Sequence, residues 1–206
     1  MSAPTPRPGI LDIAPYVGGK SRTDGATRVI KLSSNEGALG PSPKAIAALR
    51  KSAEKLHRYP DGGCEALRKK LAEKYNIEAD QIVCGAGSDE LITLLIRAYA
   101  GPGDEVLYSQ HGFLMYPIAA KGVGAVPVTA AETNMTTSVE ALLAAVTEKT
   151  KIVFVATPNN PTCTYINDAE RKRLRGGVRE ENVMVGCAAC ATLRTWSVHH
   201  SAGESR

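Results

Sequence analysis

Two short segments of this chain combine residue types that could hold an anionic ligand carrying a polar ring. The first is Gly85-Ala86-Gly87-Ser88-Asp89-Glu90, set between an apolar stretch and a helix-like run ending near Tyr99. A helix starting there would aim free backbone N–H groups and the positive end of its dipole at whatever precedes it, which favours a phosphate. The glycines let the backbone come close, and Ser88 adds a hydroxyl. The same residues also suit an ordinary glycine-rich turn in which Ser88 or Asp89 caps the helix. They form neither a Walker loop nor a full dinucleotide fingerprint. The second segment is Pro158-Asn159-Asn160-Pro161-Thr162-Cys163, directly after the apolar run KIVFVA. Ligands of open α/β sheets bind beyond the carboxyl ends of the strands. A stiff loop there, with two side-chain amides, can orient a ring substituent; a bare Pro/Asn turn is the other reading. A third group, Cys187-x-x-Cys190 with His199-His200, has the atoms for a zinc site. It has neither finger spacing nor the βαβ setting of a redox Cys pair, so no metal is expected.

The elements that would position these residues alternate. Residues 1–9 read as a flexible, proline-bearing arm, followed by a short strand around Val29–Leu32 and a turn-rich SSNEGALGPSP. Pro43 stands where a helix would start, and Lys44–Lys55 has helical apolar spacing at Ile46, Leu49 and Ala53. YPDGG (59–63) is a turn, with a helix from about Cys64 to Tyr75. A strand is predicted at Gln81–Cys84, then a helix from the GAGSDE turn to Tyr99 and a GPGD loop at 101–104. Strands Glu105–Ser109 and Ala125–Thr129 flank a helix at Phe113–Lys121. A helix at Ser138–Thr147, with Ser138 as N-cap, leads to the β-branched strand Lys151–Ala156. Asn167 or Asp168 then caps a helix to about Arg175. Such alternation implies an α/β fold, a three-layer arrangement with a mostly parallel sheet and helices on both faces.

Composition excludes several classes. The chain has 206 residues, 43% hydrophobic and 22% charged, with a net charge of +4. The densest basic cluster, Arg171-Lys172-Arg173 with Arg175, lies among acidic neighbours on a helix, so nucleic-acid binding is not expected. No run approaches the roughly 18 apolar residues of a membrane span, and MSAPTPRPGI lacks the apolar core of a secretory signal. Five cysteines without framework spacing fit reduced thiols in a cytoplasm.

Five segments in order carry a further signal: KLSSNEGALGPSPKA (31–45), HRYPDGG (57–63), IVCGAGSDEL (82–91), GPGDEVLYSQHGFLMYP (101–117) and PNNPT (158–162). Together they resemble the fold-type I pyridoxal-phosphate (PLP) aminotransferases of the histidinol-phosphate group, from about residue 10 to about residue 185. The resemblance implies PLP as cofactor and amino transfer between histidinol phosphate and 2-oxoglutarate, in histidine biosynthesis, by a cytoplasmic homodimer. It implies that Ala86, Gly87 and Ser88 cradle the cofactor phosphate, that Phe113 stacks on the pyridine ring, and that Asn160 bonds the ring's 3′-oxygen. Tyr59 would reach the cofactor phosphate of the partner subunit, and Asn35 would lie where the N-terminal segment covers the substrate. Residues 1–40 would be the arm and substrate cover, 41–186 a partial PLP-binding large domain, and 187–206 a divergent tail.

The resemblance departs in three places. Cys163 stands where the family loop has glycine, a residue chosen for positive φ or close packing. Cys187 falls where the family places the aspartate that pairs with the pyridine nitrogen, and Cys190 where it places a tyrosine. Beyond Cys190 nothing resembles the family. Lys172 is the only lysine after PNNPT and is too near that loop to be the Schiff-base lysine. The chain is therefore expected to be a truncated form without a catalytic lysine, inactive, of an incomplete PLP-transferase domain; the alternatives are a noncatalytic phosphate- or partner-binding fragment and a related PLP enzyme, resembling threonine-phosphate decarboxylases or aromatic aminotransferases.

Overall fold

The computed structural model describes residues 5–18, 24–25, 27, 30–31, 34–37 and 39–187. They fall into two compact units, one of residues up to Ala14 together with those from Cys84, the other of Pro15–Val83.

The first unit is built on a four-stranded sheet. Its strands are β1 (Glu105–Ser109), β2 (Val126–Ala130), β5 (Thr150–Ala156) and β6 (Val183–Cys187), in the order β2-β1-β5-β6. Every pairing is parallel: Glu105 to Ser109 face Val126 to Ala130, and Ile152 to Ala156 face Val183 to Cys187. β5 lies between two neighbours and is buried along nearly its whole length, as its unbroken Ile-Val-Phe-Val run requires of a strand covered on both faces. Alternate residues divide between the two faces. Val106, Tyr108, Ile152, Phe154, Val183 and Val185 pack with helices α3 (Ser88–Tyr99) and α4 (Met115–Val123). Tyr116 of α4 is 1% exposed and stacks on Phe154 with ring centroids 4.3 Å apart. Leu107, Val153 and Val155 pack on the other face with α5 (Val139–Ala145) and α6 (Asp168–Gly177), through Leu142 and Leu174. Each such fully buried leucine or isoleucine contributes roughly 1.5–3 kcal/mol.

This is the expected α/β architecture, with boundaries moved by one to a few residues. Ser138 and Asn167 are the N-caps of α5 and α6, and Asn167 and Glu170 form a complete capping box. Two expectations need correction, and one element was not foreseen. Gln81–Cys84 is not a strand: Ala79–Gln81 is a 3-10 turn closed by Glu78 and Gln81, and the chain then runs without regular structure to α3. Val83 is 73% exposed and no described strand pairs with it, while Ile82 and Cys84 are only half-buried. A two-residue antiparallel hairpin, β3 (Glu132–Thr133) and β4 (Thr136–Thr137), was not anticipated. Within the arm, Arg7 donates to the Gly122 carbonyl at 2.6 Å and Lys121 to the Asp12 carbonyl at 3.2 Å. The strand expected around Val29–Leu32 lies partly outside the described residues; Ile30 and Lys31 are not in a strand.

The second unit holds α1 (Pro43–Ala53) and α2 (Glu65–Tyr75). Ser42 caps α1 by accepting from the Ala45 amide, with Pro43 in the first turn. The 59–63 turn is closed by the Asp61 carboxylate, which accepts from the amides of Gly63 and Glu65. The Arg68 guanidinium on α2 holds the Ala79 carbonyl at 2.6 and 2.9 Å. Neither helix contains a buried residue. Among the described residues no helix is long and apolar enough to cross a membrane.

A candidate anion and ring site at the strand ends

α3 begins without a side-chain cap. Its N-cap is Gly87, at φ 86° and ψ 178°, and neither Ser88 nor Asp89 serves as cap. That φ is open to glycine and strained for other residues. The Gly87 amide turns back to the Gly85 carbonyl at 2.9 Å. The Ala86 amide donates to the Glu90 carboxylate at 2.5 Å. A Cβ at Gly85 would lie 2.9 Å from that same carboxylate oxygen and 3.0 Å from Leu91 Cδ2. The turn therefore already carries one anionic oxygen on a backbone amide, at the positive end of a 12-residue helix. Ala86 and Gly87 are exposed, Ser88 is half-buried, and the Ser88 hydroxyl has no hydrogen bond among the described residues. α3 leads through the 101–104 loop into the amino end of β1, so its own amino end lies toward the carboxyl ends of the strands.

Two loops leave the carboxyl ends of the neighbouring strands β1 and β5. The first carries Phe113, half-buried against the apolar cluster that includes Ile92 of α3, its ring edge-on to Tyr116 at 6.0 Å. The second carries Asn160, whose side chain makes no hydrogen bond among the described residues, beside Asn159, which is 2% exposed. The Asn159 amide nitrogen donates to the His111 carbonyl at 3.1 Å and to the Thr162 hydroxyl at 2.9 Å, so the loops are joined. Cys163 has φ 58°, the left-handed conformation that glycine adopts without strain.

The hairpin supplies a residue that sequence reasoning missed. The Glu132 side chain is 2% exposed. One oxygen accepts from the Ser109 hydroxyl and from the His111 amide at 3.0 Å; the other meets His111 Nδ1 at 2.7 Å. Burial pushes this carboxyl up, but the bonds from Ser109 and from the His111 amide and ring prevail and hold it below the usual carboxylate range. The available signal was Asn134, a residue that tolerates positive φ, with β-branched threonines on both sides at 133, 136 and 137. Asn134 and Met135 have φ 50° and 58°.

Ser88, Phe113 and Asn160 thus belong to one unit. Tyr59 and Asn35 belong to the other: Tyr59 is 96% exposed, and Asn35 sits in an exposed turn at φ 52°. Cys187 ends β6 opposite Ala156; Cys190, His199 and His200 lie outside the described residues. Among the described residues no group of His, Cys, Asp and Glu is arranged to hold a metal.

Residues 27–187 match the family model for aminotransferase class I and II. The chain is 63% identical over 189 residues to a histidinol-phosphate aminotransferase of Paramagnetospirillum magneticum, covering 92% of this chain and 52% of that protein. It is 54% identical over 195 residues to the one of Rhodospirillum centenum, covering 95% and 54%. The chain thus spans about half the length of the curated relatives it matches. Among solved structures it is similar to histidinol-phosphate aminotransferase from Sinorhizobium meliloti in complex with pyridoxal-5′-phosphate, with a TM-score of 0.71 and 26% identity, over 74% of this chain and 42% of that one.

Proposed function

We propose a function that proceeds from one fact: the chain belongs to the aminotransferase class I and II family. Its residues supply the phosphate- and ring-holding part of a PLP-dependent transaminase acting on histidinol phosphate and 2-oxoglutarate. The observation that carries this reading is the uncapped amino end of α3, with an anionic oxygen already on the Ala86 amide.

The residues present fit most of the cofactor. A phosphate can take the place of the Glu90 carboxylate on the Ala86 amide, since Glu90 is exposed and free to swing away. The first-turn amides of α3 and the Ser88 hydroxyl then hold it by charge-assisted hydrogen bonds. Phe113 would cover one face of the ring and keep water from it, and the Asn160 amide would donate to the ring oxygen. When bound, PLP supplies an electron sink for the substrate's α-carbon. The ring nitrogen is where the fit fails, because Cys187 matches the family's carboxylate position and a thiol cannot hold a pyridinium as a carboxylate does. Tyr59 would serve the phosphate site of a second copy in a homodimer, and Asn35 the substrate cover, in a cytoplasmic enzyme. Cys187 favours a second reading for residues 1–206 taken alone: they bind without turning substrate over.

The test titrates the 206-residue chain with PLP and with inorganic phosphate, and assays it with histidinol phosphate and 2-oxoglutarate. PLP and phosphate should compete. Ser88→Ala should weaken PLP by roughly ten- to a hundredfold, the effect of one hydrogen bond to a charged group. Turnover should not exceed the protein-free rate. PLP binding indifferent to phosphate and to Ser88→Ala would remove the site; turnover would remove the binding-only reading.

A further inference from the structure

Glu132 has no part in the site as assigned above, yet its side chain is 2% exposed and both its oxygens are engaged. A buried carboxylate persists only where its partners repay desolvation. What those partners belong to is the informative point. Glu132 holds Ser109, the last residue of β1, and both the amide and ring of His111. The His111 carbonyl accepts from Asn159, the Asn159 amide also donates to Thr162 Oγ1, and Thr162 Oγ1 meets Thr164 Oγ1 at 2.8 Å. The Thr164 hydroxyl then donates to the Met135 carbonyl at 3.0 Å, back in the turn of the hairpin that carries Glu132. The chain of bonds closes on itself: hairpin, loop 110–113, loop 158–164, hairpin.

We propose that Glu132 is a positioning residue, which through the β3–β4 hairpin clasps the loop bearing Phe113 to the loop bearing Asn160 and so fixes the separation of the two ring-facing groups. Each loop has backbone bonds within itself, from the Gly112 amide to the Ser109 carbonyl and from the Asn159 and Cys163 amides to the Thr164 and Asn159 carbonyls, but among the described residues no backbone bond joins one loop to the other. Side-chain bonds are what set such segments relative to one another, and an aromatic face and an amide must be held to within a fraction of an ångström to grip the same ring. What the loops grip rests on the function proposed above; the clasp rests on the hydrogen bonds alone.

Amide hydrogen exchange on the 206-residue chain separates the two. In Glu132→Gln, which keeps the shape but removes the charge that holds His111, exchange at the amides of His111, Asn159 and Cys163 should rise about tenfold or more, the scale of a lost charge-assisted bond. Amides within β1 and β5 should stay protected. Thr164→Val breaks the ring from its opposite side and should give the same two-loop signature; it decides the matter if Glu132→Gln does not fold. A change confined to His111, or faster exchange throughout β1 and β5, overturns the clasp. In the ligand arm, Glu132→Gln should weaken PLP about tenfold while inorganic phosphate, which needs only the α3 end, binds as before. Wild-type PLP affinity in Glu132→Gln, where Phe113→Ala or Asn160→Ala weakens it, overturns the positioning role. PLP affinity unmoved by Phe113→Ala and Asn160→Ala sinks the ring-site reading instead, and exchange still judges the clasp.

Discussion

Desolvation alone would favour a protonated Glu132, and it is outweighed by the Ser109 hydroxyl and by the amide and ring of His111, so that the folded chain holds this carboxyl below its ordinary range. An unfolded glutamate titrates near about 4.3. The depressed folded value means the unfolded state takes up the proton first as pH falls. Glu132 therefore stabilises the fold fully at neutral pH, and that stabilisation drains away as pH drops through the unfolded and then the folded value. Glu132→Gln should cost roughly 1.5–3 kcal/mol at pH 7, and the gap to wild type should close in acid. Urea melts of both proteins at neutral pH and below pH 4 check the sign; a gap that widens in acid would contradict it. Glu132 was illegible beforehand because its partners lie 23 and 21 residues away, and nothing in AAETNM hints at them. Cys163 was legible, since it stands where the resemblance expects a glycine, and its φ is 58°.

At the scale of elements, local chemistry reads well and pairing does not. Ser42, Ser138 and Asn167 all cap helices, because a short polar side chain just before an apolar-periodic run has an orphan amide within reach. Asn167 accepts from the Glu170 amide at 2.9 Å while the Glu170 carboxylate accepts from the Asn167 amide at 2.8 Å. Asn167→Ala should therefore destabilise the chain by about 1 kcal/mol, read as a lower urea midpoint with an unchanged slope. An unaltered midpoint would mean that α6 is held by Leu174 alone. The error at Gln81–Cys84 has the opposite origin. An apolar quartet states a need for burial, but a strand exists only when a neighbour pairs with it, and that depends on chain placed elsewhere. The β3–β4 hairpin was lost for the reverse reason: four polar residues announce no burial, and their pairing follows from a turn only two residues long.

The whole molecule inherits a consequence from the order β2-β1-β5-β6. Among the described residues, β2 and β6 each pair on one side only. The two open edges differ in hazard. β2 is VPVTA, and Pro127 offers no amide to an incoming strand, a common way of blunting an edge. β6 is VMVGC, uncharged and β-prone, with nothing to discourage a partner. Apolar side chains on the other unit add to this: α1 and α2 contain no fully buried residue, and Leu49 and Leu56 are 71% and 79% exposed. Such apolar surface on one unit and an unpaired strand edge on the other each favour association over a free monomer. The 206-residue chain by itself should run above its 21.8 kDa mass in size-exclusion chromatography with light scattering, increasingly so with concentration, and should melt over a broad range. PLP at the proposed α3 site should raise the melting temperature without restoring a monomer. A monodisperse 21.8 kDa species with one sharp, concentration-independent transition would show that the β6 edge and the α1 and α2 faces are covered within a single chain, and the expectation of association would fall.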